Sequence, residues 1–154
     1  MRSLSRTLVL GMAIAAMPTV AVAFGVGLAI SDASAQVTYI PADQVNAAFA
    51  KGAVLINSGN YMVHASRRDA EGQVEIHTSD ADIIYMLEGT TTLVTGGKIV
   101  GAKNTASDEI RGTSVRGGDA RKLSKGDVIV VPKGTPHWFK DVSGPVLYYV
   151  VKVR

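Results

Sequence analysis

Four side chains in two short stretches of this sequence could do chemistry together. Glu75 and His77 stand two residues apart, Asp82 follows closely, and His137 comes after the turn Pro132-Lys133-Gly134. Imidazoles and carboxylates without sulfur form a mixed nitrogen and oxygen set. Such a set suits a divalent ion such as Fe, Mn, Zn, Ni or Cu, and two His with one carboxylate and open positions suit non-haem Fe(II). The ion would act as a Lewis acid or an electron source. Without an ion, His137 or His77 could serve as an acid or base, with one carboxylate protonated or paired with Arg. Glu75 and Asp82 near two imidazoles repel each other unless a cation or proton sits between them.

The elements that must position these groups are short strands. Glu75 and His77 alternate on one strand and so face the same way. Asp82 precedes Ile83-Ile84-Tyr85-Met86-Leu87, a strand that stops at Glu88-Gly89. Gly126 to Asp141 reads as a buried strand, Val128 to Val131, then a turn at Pro132 and Gly134, then a strand from His137. A His after a tight turn and beside Trp138 and Phe139 is equally well a packed core residue.

The two stretches resemble the motifs of the cupin superfamily. Gly126, Pro132, Gly134, His137 and Asp141 fit the spacing of the second motif. Glu75, His77, Asp82 and Gly89 fit the spacing of the first, with Glu75 where a His is usual and Asp82 where a Glu is usual. The resemblance covers about Tyr61 to Lys152 and is to a small, single-domain member with a conserved barrel. It implies an all-β, double-stranded β-helix or jelly-roll barrel, and a cavity holding a small-molecule ligand. It implies His77, Asp82 and His137 as metal ligands, with Glu75 as fourth ligand or base and Glu75 and His137 as the catalytic pair. An enzyme of this kind would be an oxygenase, a decarboxylase or an isomerase. A binding or sensing module without turnover and a metal-free isomerase are the alternatives. Homodimers are common in the family, and Val146–Val153 or the Val37–Ile40 edge could pair across such an interface.

Three more residues are candidates for the cavity wall: His64, Tyr85 and Trp138. His64 lies in Tyr61–Ser66, a strand expected to run antiparallel to Gln73–His77, and a register slip of one residue would turn it outward. Phe139 is a further aromatic candidate, although core packing alone accounts for such residues. Arg67 and Arg68 fall in a charged stretch that reads either as a solvated loop or as a rim attracting an anionic substrate.

The rest of the chain sets bounds. Its 154 residues suffice for one domain. Residues 1–35 look like an export signal: Arg2 and Arg6, then an uncharged apolar run, then Ala33-Ser34-Ala35. Retained, that run would be a membrane anchor. Cleaved, it leaves residues 36–154 as a single domain outside the cytoplasm, periplasmic or secreted. The remainder carries 14 basic and 12 acidic residues, which gives no case for nucleic acid. Cysteine is absent, which removes disulfides and thiolate chemistry. Pro41 to Lys51 is a short helix with Val45, Ala48 and Phe49 on one face. Residues 96–124 form a long inter-motif insertion, with Lys98–Ala102 and Gly112–Arg116 as an extra hairpin and Asn104–Glu109 as its polar tip. That insertion either folds over the barrel mouth or lies on the surface.

Overall fold

The computed structural model describes residues 36–154; the expected export signal lies outside the described residues. One helix, α1 (Ala42–Lys51), precedes thirteen strands. They are β1 (Ala53–Asn57), β2 (Tyr61–Arg68), β3 (Val74–His77), β4 (Ala81–Glu88), β5 (Thr90–Thr95), β6 (Lys98–Val100), β7 (Lys103–Asn104), β8 (Glu109–Gly112), β9 (Ser114–Arg116), β10 (Asp119–Ser124), β11 (Val128–Val131), β12 (His137–Val142) and β13 (Val146–Val153). The all-β class and the short N-terminal helix agree with the sequence. No helix among the described residues is long and apolar enough to cross a membrane.

Two antiparallel sheets carry the fold. One has the order β1-β2-β13-β4-β11, the other β10-β5-β12-β3-β8-β7, and β6 with β9 forms a separate hairpin. Alternation along each strand buries one face between the sheets, as sandwich packing requires. Ile84 and Met86 of β4, Leu93 of β5, Leu123 of β10, Val131 of β11, Phe139 of β12, and Val146, Tyr148 and Val150 of β13 form one core from both sheets. On the outer side, α1 buries Phe49 edge-on against Tyr149, with ring centroids 5.0 Å apart. The apolar face expected for this helix is the one it uses, and Gly52 with φ 71° ends it.

Two glycines are fixed by the backbone. Gly89, between β4 and β5, has φ 78°, and a Cβ there would run into the Pro145 carbonyl oxygen. Only glycine combines that dihedral with that contact. Gly134 has φ 75° in the turn between β11 and β12, and its N–H donates to the His77 carbonyl at 2.7 Å. The second motif's turn is thereby tied to the end of the first motif's strand.

Several expectations are corrected. Val37 to Ile40 is not a strand: Val37 and Tyr39 are exposed and pair with nothing in either sheet. β13 is a central strand, with β2 on one side and β4 on the other. Both its edges are used, so β13 has no free edge for pairing with a second copy. β2 and β3 do not pair; they lie in opposite sheets. Arg67 and Arg68 belong to β2 rather than to a loop. Gly96-Gly97 does not close a hairpin, because β5 pairs with β10 and β12.

Residues 96–124 are more than an insertion. The hairpin of β6 and β9 is present as expected. However, β8 pairs with β3, the strand of Glu75 and His77, and β10 pairs along the whole of β5. The tip between β7 and β8 is a loop, tied at Asp108, whose carbonyl accepts from the Thr78 N–H at 2.9 Å. The Gly- and charge-rich composition hides these strands because β8 and β10 present mostly polar faces.

Candidate metal centre in the barrel

Register decides which side chains meet. Glu75 sits opposite His137 across the β3–β12 pair and opposite Arg111 across the β3–β8 pair. Asp82 sits opposite Lys152 across the β4–β13 pair. Directly opposed side chains are the nearest neighbours in a sheet. The chain between His77 and Ala81 crosses from one sheet to the other, so Asp82 faces Glu75 and His77 across the barrel.

The four expected residues do converge. His77 Nε2 lies 3.7 Å from Glu75 Oε2 and 3.5 Å from Asp82 Oδ2. His137 Nε2 lies 3.9 Å from Glu75 Oε2 and 3.7 Å from Asp82 Oδ2. The two imidazole rings are 5.2 Å apart, centroid to centroid. Glu75, His77 and His137 each offer a donor atom within 4.8 Å of the other two.

The donor set fits a divalent ion. The Nδ1 of His137 lies 3.1 Å from the Thr135 carbonyl oxygen. A carbonyl only accepts, so Nδ1 carries the proton and Nε2 presents a bare lone pair to the site. A ligating His is commonly held in this way. Burial lowers the His137 pKa, outweighing the nearby Asp82 and Glu75 carboxylates, and so favours the neutral, ligating form. Two donors on one ion at about 2.0–2.2 Å stand roughly 3.0–3.5 Å apart. The observed spacings need only a small contraction to match.

Each carboxylate also has cations of the protein's own. Glu75 Oε1 lies 3.5 Å from Arg68 and 3.6 Å from Arg111. Burial pushes the Glu75 carboxyl up, but Arg68, His137, Arg111 and His77 together hold it below its ordinary value. Asp82 accepts bonds from Lys152 Nζ at 2.8 Å to Oδ1 and 3.1 Å to Oδ2. The repulsion expected between Glu75 and Asp82 is thus relieved by Arg and Lys, and it carries no argument for a metal by itself.

The cavity around the site has a volume of about 380 Å³. His64 lines it, on the same inward row of β2 as Ser66 and Arg68, with Nδ1 2.9 Å from Ser66 Oγ. Burial first and Lys152 second lower the His64 pKa. Arg68 donates from Nε to Tyr148 Oη at 2.9 Å and stacks 4.5 Å over the Phe139 ring. Burial raises the Tyr148 pKa against the pull of Arg68, so the phenol keeps its proton.

Two expected wall residues are corrected. Tyr85 is 45% exposed on the outer face of β4, because Asp82, Ile84 and Met86 take the inward positions. Trp138 lies between the inward His137 and Phe139, and its indole N–H donates to the Gly72 carbonyl at 2.7 Å on the outside. Phe139 and Arg68 line the cavity, and Arg67 reaches its lining too while pairing with Asp69 at 2.8 Å. Arg111, Lys152 and Tyr148 also line the cavity and were not singled out from sequence. Lys152 had a readable signal: it is the one charge on the inward row Val146, Tyr148, Val150, Lys152. Arg111 had none, since it lies 36 residues from its partner Glu75 across the β3–β8 pair.

The fold is shared with solved structures of low sequence identity. The protein BH2720 from Bacillus halodurans is 14% identical, with a TM-score of 0.55, over 78% of this chain and 83% of its own. A hydroquinone 1,2-dioxygenase from Sphingomonas sp. TTNP3, solved with 4-hydroxybenzoate bound, is 11% identical, with a TM-score of 0.52, over 67% of this chain and 65% of its own. Among curated proteins none matches the sequence. The family model described as Cupin matches residues 34–153, which takes in both sheets and every residue of the site. With that match over most of its length and the jelly-roll barrel it predicts, this chain belongs to the cupin family.

Proposed function

We propose that this chain is an exported, periplasmic or secreted, metal-dependent cupin enzyme that acts on a small carboxylate-bearing molecule by oxygenation. The observation that carries the reading is the convergence of Glu75, His77 and His137 donor atoms at one point of the cavity. Two imidazoles and one carboxylate with open positions are the set associated with non-haem Fe(II). A bound ion would supply Lewis acidity and, for iron, electrons to dioxygen.

The substrate class follows from charge. Glu75, Asp82 and Glu109 balance Arg68, Arg111 and Lys152 within the cavity, and Lys51 and Arg67 add further positive charge at its lining. A divalent ion makes the cavity strongly positive, so an anionic ligand is drawn in. Arg111, the most exposed of the three inner cations, bonds Glu109 through Nε and approaches Glu75 through Nη2, and its remaining N–H groups are the ones that would meet a substrate carboxylate. Ile84, Phe139 and Val150 supply an apolar wall for the rest of the ligand and exclude water. Tyr148, protonated and held by Arg68, is available as a proton donor.

One observation favours a second reading. Arg68, Arg111 and Lys152 neutralise the carboxylates without an ion, which a metal-free acid/base cupin would also need. Metal analysis of residues 36–154 separates the two, with iron and manganese measured per chain before and after reconstitution. About one ion per chain, followed by oxygen uptake with small aromatic or aliphatic carboxylates, is the expected result. No binding of Fe, Mn, Zn, Ni or Cu would overturn the proposal in favour of acid/base isomerisation or ligand binding alone.

A further inference from the structure

Asp82 and Glu75 hold equivalent places around the two imidazoles but are not equally free. Asp82 is 4% exposed, and Lys152 Nζ contacts both its oxygens within hydrogen-bond distance. That includes Oδ2, the oxygen that faces His77 and His137. Glu75 Oε2 faces the same imidazoles, but its arginines approach only Oε1, and at 3.5–3.6 Å. Its inward oxygen is uncommitted. Distance does not separate the two, since Asp82 Oδ2 stands 3.5 and 3.7 Å from the imidazole nitrogens and Glu75 Oε2 stands 3.7 and 3.9 Å from them; the Lys152 bonds do. Lys152 is held in turn by the rigid centre of its sheet, between β2 and β4.

We infer that Lys152 withholds Asp82 from the coordination sphere, so that the metal is held by Glu75, His77 and His137 alone and keeps open positions for ligand. The inference rests on the metal reading above. It assigns Lys152 as a positioning residue and departs from the ligand role that motif spacing gives Asp82. Charge-assisted bonds at 2.8–3.1 Å in a buried place are costly to break, because the freed ammonium would stay buried and unpaired.

The test is Co(II) affinity by chelator competition, with the visible absorption of bound Co(II) as a reporter of coordination number. Wild type is compared with Asp82→Asn, Glu75→Gln, Lys152→Met and the double variant Asp82→Asn/Lys152→Met. The Asp82→Asn protein is expected to stay within about threefold of wild type and keep its spectrum, while Glu75→Gln loses at least tenfold, the lower bound for disturbing a metal's supporting shell. Lys152→Met is expected to gain about tenfold or more, with weaker visible bands as Asp82 enters as a fourth protein ligand. The double variant removes both charges of the pair, so it keeps the comparison usable if Lys152→Met alone does not fold, and it should bind as wild type does. Equal losses in Asp82→Asn and Glu75→Gln would overturn the inference, as would an unchanged Lys152→Met protein. A double variant that binds tenfold more weakly would overturn it too. Absence of Co(II) binding by wild type would instead remove the metal reading beneath it.

Discussion

The two walls of the cavity offer a comparison. The wall built by β3, β8 and β12 carries Glu75, His77, His137 and Arg111; one oxygen of Glu75 has Arg111 at 3.6 Å and Arg68, reaching across from β2, at 3.5 Å. The wall built by β4, β13 and β2 carries Asp82, Lys152, His64 and Arg68, and Lys152 binds both oxygens of Asp82. One carboxylate has loose partners on a single oxygen; the other is bonded on both. Proximity to a site is therefore a poorer guide to role than what each oxygen already touches.

Breaking the free wall should have the largest effect. His137→Ala and His77→Ala are each expected to lower metal affinity by more than about 100-fold, since loss of a ligand exceeds the 10–100-fold cost of disturbing its support. Isothermal titration of the folded variants checks this, and near-wild-type affinity in either would displace the site. Removing residues 98–121 takes away β8 and much of β10. The expected outcome is a chain with no cooperative melt, because β3 and β5 lose their partners. A smaller cut at Thr105–Asp108 should leave the melt and the metal site in place.

Scaffold changes come next. Gly89→Ala must hold φ 78° and meet the Pro145 carbonyl, at a cost of about 2–4 kcal/mol in denaturant unfolding. The comparison sharpens further with acid. Glu75 and His137 both have folded pKa values below their ordinary ones, so the unfolded chain takes up more protons as pH falls. The stability they contribute is present above the unfolded values, near 6.5 for His137 and 4.5 for Glu75, and is lost as pH falls through the folded ones. The metal-free protein should melt progressively lower from pH 7 to pH 4, with a shallower trend in Glu75→Gln; a flat profile would contradict these environments. Tyr85→Ser should be the mildest change, within about 0.5 kcal/mol and without effect on metal affinity, since the ring is on the outer face.

Much of this molecule was legible in the chain. Period-two alternation placed Glu75 and His77 on one face, Pro and Gly marked the turn that delivers His137, and the spacing of both motifs pointed to a jelly-roll barrel. The amphipathic face of α1 followed from Val45, Ala48 and Phe49. These are local properties, written within a few residues. What tertiary structure decided is register between distant strands: His137 opposite Glu75, Arg111 opposite Glu75 and Lys152 opposite Asp82. The partners in each pair lie 36 to 70 residues apart in sequence. No local pattern specifies such a pairing, because strand register is set by how whole faces pack. It also decided that Tyr85 and Trp138 point away and that polar β8 and β10 are part of the sheet. The sequence determined which groups could do chemistry; only the fold determined which of them are left free to do it, since a buried charge takes its role from the partner it meets.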